Sequence, residues 1–162
     1  MPVADTLLRL AEEPVLYTPK WSTDILTELE RVLRKRLGYT NAQATRRVSA
    51  MKGAFPAAMV MGYEDLVPVM TNDPKDRHVL AAAVRCGAHF IVSDNRKHFP
   101  PRSLVRYGLE CLTADEFLSN QYHLDPDVFI GVLTAQAEDI GWTLRQLLSK
   151  HVPSLSQLIT VR

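Results

Sequence analysis

The sequence predicts an α/β protein in which a short parallel sheet is flanked by helices and followed by a helical extension. Three observations predict it. The runs at residues 89–93 and 109–112 are short and almost wholly apolar, as strands of a buried parallel sheet are. Helical periodicity brackets both runs, so strands alternate with helices as in βαβ units. Past Asn120 only helical patterns follow.

Taken in order, residues 2–13 read as a helix. Val3, Leu7, Leu8 and Leu10 share one face, and Pro2 is tolerated in a first turn. Val15-Leu16-Tyr17 reads as a short strand closed by Pro19. Residues 21–37 form a long helix with Ile25, Leu26, Leu29, Val32 and Leu33 in helical period, ended by Gly38. Thr40 with Gln43 is a capping box opening a helix to about Met51. Residues 57–70, apolar but interrupted by Gly62 and Pro68, read as one or two short strands. Asn72-Asp73-Pro74 pairs a capping residue with proline at the first helical position, and the helix stops at Gly87. Thr113 with Glu116 is a second capping box, its helix running to about Leu118. A polar joint at residues 119–125 precedes helices from Asp125-Pro126, at 142–149 and at 154–159. The chain therefore divides into residues 1–120 and a helical extension, 121–162.

A length of 162 residues suits one domain with a real core. The formal charge of +1 gives no global attraction to nucleic acid, so any such binding must come from local patches. Cys86 and Cys111 both sit in apolar contexts and read as buried thiols of a reducing compartment. No apolar run is long enough to span a bilayer and no secretory signal opens the chain, which points to the cytoplasm.

The chemistry lies in carboxylates placed where a core would be. Asp76, Val79, Leu80 and Ala83 stand at i, i+3, i+4 and i+7, so Asp76 falls on the apolar face of its helix. A carboxylate there needs a partner, and a metal ion is one. The alternative is a helix-terminus role in the first turn. Asp73 reads as the cap alone. Ser93-Asp94-Asn95 puts oxygen-bearing groups at the carboxyl end of the clearest strand, where open parallel sheets bind ligands, although these are also ordinary loop residues. Glu28 and Glu30 both flank the stripe of the long helix, and periodicity does not choose between them. Several carboxylates around one point suit Mg²⁺ or Mn²⁺, which activate water and neutralise charge on a phosphate. His78 and His89 have no ligand spacing and read as surface or satisfied core residues.

Residues 72–83, with Asp73, Asp76 and His78, followed by Ile91-Val92-Ser93-Asp94-Asn95-Arg96-Lys97-His98-Phe99-Pro100, resemble the PIN-domain family. They look closest to the VapC-like toxin branch of toxin–antitoxin modules. Residues 21–29 resemble the family's second acidic motif. The likeness covers about residues 3–118, and the tail is similar to extensions seen in this branch. It implies a metal-dependent endoribonuclease that cleaves RNA phosphodiesters and is restrained by a cognate antitoxin protein. Glu28 matches the helix glutamate and Asp76 the central aspartate. Asn95 stands where the family places an acid or Asn, with Asp94 beside it able to serve instead. The implied metal ligands are Glu28, Asp76 and Asp94, for Mg²⁺ or Mn²⁺. His98 stands where a further acid is common.

Substrate RNA would be gripped by Arg96, Lys97, His98 and Arg102, with Arg31, Arg34, Lys35 and Arg36 along the long helix. The family opens with a strand carrying an aspartate, whereas this sequence opens with the helix that follows. The expected architecture is thus a PIN-like three-layer fold with its first strand missing, from truncation or a start codon assigned too late. Asp5 lies on the helix and does not take the missing role. The apolar first helix makes a homodimer an expectation. Two other readings stand beside the nuclease: a degenerate PIN domain that binds RNA or protein without cutting, and an α/β domain in which Asp76 is merely a helix-start residue.

Overall fold

The computed structural model describes residues 2–12 and 15–159. Its elements, in chain order, are α1 (Pro2–Arg9), α2 (Thr23–Leu37), α3 (Asn41–Ala54), α4 (Arg77–Arg85), β1 (Phe90–Val92), α5 (Pro101–Leu104), β2 (Glu110–Leu112), α6 (Ala114–Leu124), α7 (Pro126–Asp139), α8 (Leu144–His151) and α9 (Pro153–Ile159). Short 3-10 turns at Pro56–Ala58, Glu64–Val69, Pro74–Asp76, Arg96–His98 and Val105–Tyr107 fill the stretches between. Glu13, the expected last residue of the first helix, lies outside the described residues. β1 and β2 form a two-stranded sheet. Glu110 N–H donates to His89 O and Ser93 N–H donates to Leu112 O, a stagger that makes the strands parallel. The α/β class is therefore as the sequence predicts. Among the described residues no helix is long and apolar enough to cross a membrane.

The chain divides into two compact units. The central unit holds residues 19–91 and 96–111; the terminal unit holds 1–18, 92–95 and 112–162.

In the central unit, α2 begins where Ser22 Oγ accepts from Ile25 N–H at 3.3 Å and ends at Gly38, whose φ of 71° closes the last turn through its N–H to Leu33 O. The capping box expected at Thr40 and Gln43 starts α3. Thr45 on α3 donates its hydroxyl to Glu30 Oε1 at 2.5 Å, tying α3 to α2. The core of this unit is built on Leu80 and Ala81–Ala83 of α4 with Met70, Ile91, Phe99, Leu104, Leu109 and Cys111. Cys111 is buried and Cys86 half-buried, and neither is joined in a disulfide.

In the terminal unit, one cluster joins Leu10 from the α1 end to Leu118 of α6, Phe129 and Leu133 of α7, Leu147 and Leu148 of α8, and Leu155 of α9. Thr6 donates to Gln136 Oε1 at 2.7 Å inside it, so two buried polar groups satisfy each other. Tyr17 meets the edge of Phe117 and donates its hydroxyl to Leu7 O.

Four expectations need correction. Val15-Leu16-Tyr17 is not a strand; Leu16 N–H instead returns to Leu10 O. The strand-like pairing comes at Trp21, which forms a single parallel bridge to Met59. Three apolar residues carry no period, and bridge partners are chosen by non-local packing. Residues 57–70 hold only that bridge and 3-10 turns, because Pro68 offers no N–H to a ladder. In β1 only Ile91 is buried, while Phe90 and Val92 are 43% and 37% exposed, so the strand is not buried on both faces. Finally, α6 runs on to Leu124 and the polar joint shrinks to Asp125. Ser119 and Asn120 lie within the helix, where Gln121 is its buried face.

Candidate metal centre

The turn before α4 is made by its sequence. Asp73 Oδ1 accepts from Lys75 N–H at 3.0 Å, and Pro74 fills the first helical position, where no donor is needed. The 3-10 turn Pro74–Asp76 hands over to α4 at Asp76, whose φ of −112° and ψ of 12° mark the junction. Its side chain makes no capping bond. The N-terminus of α4 still favours an acid here, so the helix-terminus reading stands beside the metal reading of Asp76. Its Oδ2 lies 2.5 Å from Nδ1 of His98.

His98 reaches Asp76 from the 3-10 turn Arg96–His98. That turn is held on both sides. Asp73 N–H donates to His98 O at 3.2 Å, and Phe99, 4% exposed, is packed into the core directly after it. The second ring nitrogen, Nε2, is 3.7 Å from Asp73 Oδ2. One ligand-capable atom each from Asp73, Asp76 and His98 therefore falls within 4.8 Å of the others. All three residues are half-buried, open to an incoming group yet fixed by backbone contacts. Beside them Asn72 is buried and donates Nδ2–H to Asp76 O at 3.0 Å, while its Oδ1 has no partner. A set of two carboxylates and an imidazole fits a small divalent ion.

The sequence missed two members of this cluster. Asp73 serves as the cap, but its second oxygen faces His98. His98, expected on the RNA-contacting loop, has its ring turned to the two aspartates. Neither approach could be read from spacing, because 22 residues and a strand separate Asp76 from His98.

The other expected residues fall as follows. Glu28, on α2, has Oε2 at 3.6 Å from His78 Nε2, two residues past Asp76, and Oε1 at 3.5 Å from Arg31. Glu30 is engaged with Thr45. The two glutamates that periodicity could not separate are thus separated by packing. His78 is not an isolated residue: its Nε2 is buried, faces Glu28, and makes no hydrogen bond. His89 is exposed. One turn before Glu28, Asp24 accepts from the Tyr63 hydroxyl at 2.8 Å. Burial pushes the Tyr63 hydroxyl above its ordinary pKa, and the Asp24 charge adds to this. Arg96, Lys97 and Arg102 are exposed in the same unit.

Asp94 and Asn95 belong to the terminal unit. Asp94 Oδ1 accepts from Ala114 N–H at 3.4 Å, in the first turn of α6, and Asn95 N–H donates to Ser93 Oγ at 3.2 Å.

Charge is divided between the units far more sharply than the total reveals. The central unit carries fifteen Lys and Arg against eight Asp and Glu, the terminal unit four against ten. A near-neutral chain thus contains a central unit with a formal charge of +7 and a terminal unit with one of −6.

Comparison with known proteins agrees with the motif. A family model described as PIN domain matches residues 4–97. "Putative ribonuclease VapC50" of Mycobacterium tuberculosis strain H37Rv is 47% identical over 119 residues, spanning 70% of this chain and 70% of that protein. No solved structure matches the chain. With more than half of its length matched by the family model, and such a relative over most of its length, the chain belongs to the PIN-domain family, in its VapC-like branch.

Proposed function

We propose that this protein is a metal-dependent endoribonuclease whose centre is Asp76. The observation that carries the reading is the convergence of Asp73, Asp76 and His98 at the start of α4, in a unit with a surplus of seven positive charges. The relative's name supports a ribonuclease. Glu28 and Asp76 are the proposed ligands of a Mg²⁺ or Mn²⁺ ion. Asp94 and Asn95 remain in the proposal on the family motif alone. Such an ion, when bound, lowers the pKa of a coordinated water and neutralises charge developing on the phosphate.

The remaining work falls to the chain's own residues. Glu28 is held by α2 opposite His78, and its carboxylate can accept a proton in the reaction. Arg96, Lys97 and Arg102 are exposed cations that hold phosphates by charge without reading base identity. The basic stretch of α2 with Arg31, Arg34, Lys35 and Arg36 extends that grip. In this reading residues 1–120 are the catalytic part and 121–162 a helical extension. A cognate antitoxin, a homodimer and a cytoplasmic setting belong to the same reading, on the family branch alone.

A second reading, a protein that binds RNA without cutting it, is favoured by one observation: His98, an imidazole, stands where the family commonly has a further acid. Incubating the chain with structured RNA in Mn²⁺ and in EDTA decides between them. Cleavage that needs metal and is lost in Asp76→Asn supports the nuclease. RNA retention without metal-dependent cleavage supports the binding protein.

A further inference from the structure

The neighbours of His98 set its chemistry. In the neutral imidazole, the nitrogen 2.5 Å from the Asp76 carboxylate is the one that bears the proton, so Nδ1–H donates to Oδ2 and the lone pair lies on Nε2. That is the arrangement by which a carboxylate orients a metal-binding histidine. The 3.7 Å from Nε2 to Asp73 Oδ2 is too long for a hydrogen bond. Two ligands each about 2.1 Å from one shared ion stand that far apart when the angle at the ion is about 120°. Asp73 is prepared for this: Oδ1 is committed to Lys75 N–H, and its own N–H holds the His98 carbonyl. Asn72, buried and anchored on the Asp76 carbonyl, adds an Oδ1 that has no hydrogen-bond partner in the same turn.

We propose that His98 Nε2 and Asp73 Oδ2 form a mixed nitrogen–oxygen metal subsite, oriented by Asp76, that makes this chain prefer first-row transition ions over Mg²⁺. The proposal rests on the reading of Asp76 as the centre of a metal site. Imidazole binds Mn²⁺, and Co²⁺ more strongly, in preference to the hard Mg²⁺ ion, for which carboxylate and water are the matched ligands. An all-carboxylate set has no such bias from nitrogen.

The test is metal binding by the whole chain without RNA. Mn²⁺ is titrated alone and against Mg²⁺, and the electron spin-echo spectrum of the Mn²⁺-loaded chain is recorded for nitrogen coupling. Nitrogen modulation is expected in the native protein. It should vanish in His98→Asp, which keeps Mn²⁺ through oxygen but loses about tenfold of the preference for Mn²⁺ over Mg²⁺. His98→Gln, which keeps size and a donor towards Asp76, should lose the modulation as well, and circular dichroism checks that both variants are folded. If Mn²⁺ binds in an Asp76-dependent way with no nitrogen coupling, or with coupling unchanged in His98→Asp, the subsite is overturned and the nuclease reading stands. If the native chain binds no Mn²⁺, both fall.

Discussion

The central and terminal units of this chain are built on opposite plans. The central unit is irregular: a long helix pair, then 3-10 turns, short helices and the first two residues of each three-residue strand, with polar side chains turned to one another at Asp73, Asp76 and His98. The terminal unit is regular, with α6, α7, α8 and α9 following one another at short connections around a single aliphatic cluster. Charge follows the same division, +7 against −6. Helices with capped ends and leucine stripes satisfy their own backbone and need little else. The proposed metal centre instead needs carboxylates held by turns, and the proposed grip on RNA needs exposed cations. The difference teaches that a near-zero total charge says nothing about either unit.

The strongest way to break the comparison is at Asp76. If chemistry resides in the central unit, Asp76→Asn should lower metal-dependent RNA cleavage by about 100-fold or more, since a ligand and its charge are removed together. Arg145→Glu on α8 should leave the rate unchanged. A gel assay of labelled RNA reads both, and equal losses would abolish the functional distinction between the units.

The terminal unit makes the opposite prediction. Leu133 is fully buried in its cluster, so Leu133→Ala should destabilise by about 2–5 kcal/mol, read as a lower urea midpoint. Cleavage by the folded fraction should be unaffected. A midpoint unchanged would mean that this cluster contributes no stability to the fold.

RNA affinity sharpens the charge contrast. Arg96→Glu with Lys97→Glu should weaken binding across RNA sequences and reduce the dependence of log K on log salt by about 1–2, one for each phosphate that the variant no longer neutralises. Lys150→Glu in the terminal unit should change neither. Lys150 lies over the Trp142 ring at 5.0 Å and so has a local role already.

Much of this plan was legible because local chemistry fixes it. The capping boxes at Thr40–Gln43 and Thr113–Glu116 formed as the spacing required, since each needs only four residues. The strand at Ile91 and the end of α2 at Gly38 are equally local. What could not be read depends on distant partners. The Trp21–Met59 bridge joins segments almost forty residues apart, so the preceding Val15-Leu16-Tyr17 run drew the strand assignment instead. Asp73 looked like a cap and is one; its second oxygen acquired meaning only when a loop 25 residues later delivered His98. Glu28 was chosen over Glu30 by the resemblance alone; that Thr45 of α3 takes Glu30 is a partnership periodicity could not show. Charge partition was hidden because the units interleave along the chain, with residues 92–95 falling among terminal-unit segments.

The smallest expected effect is a pH dependence confined to the terminal unit. His151 is buried, lies stacked on Trp142, and its Nε2 has no hydrogen bond. Burial, with Lys150 adding, holds its pKa below the ordinary histidine value of 6.5. A depressed folded pKa means that the unfolded chain takes up the proton first as pH falls. Stability from the neutral ring is therefore complete above about pH 6.5 and declines as pH drops below it. Urea midpoints of the native chain should fall on going from pH 7.5 to pH 5.5. The fall should be smaller in His151→Gln, because the titrating ring is gone. The ring stack adds a local readout: Trp142 fluorescence should change over the same pH range in the native chain and less in the variant. A native midpoint that stays level across this range would show that the buried imidazole is not what makes the terminal unit sensitive to acid.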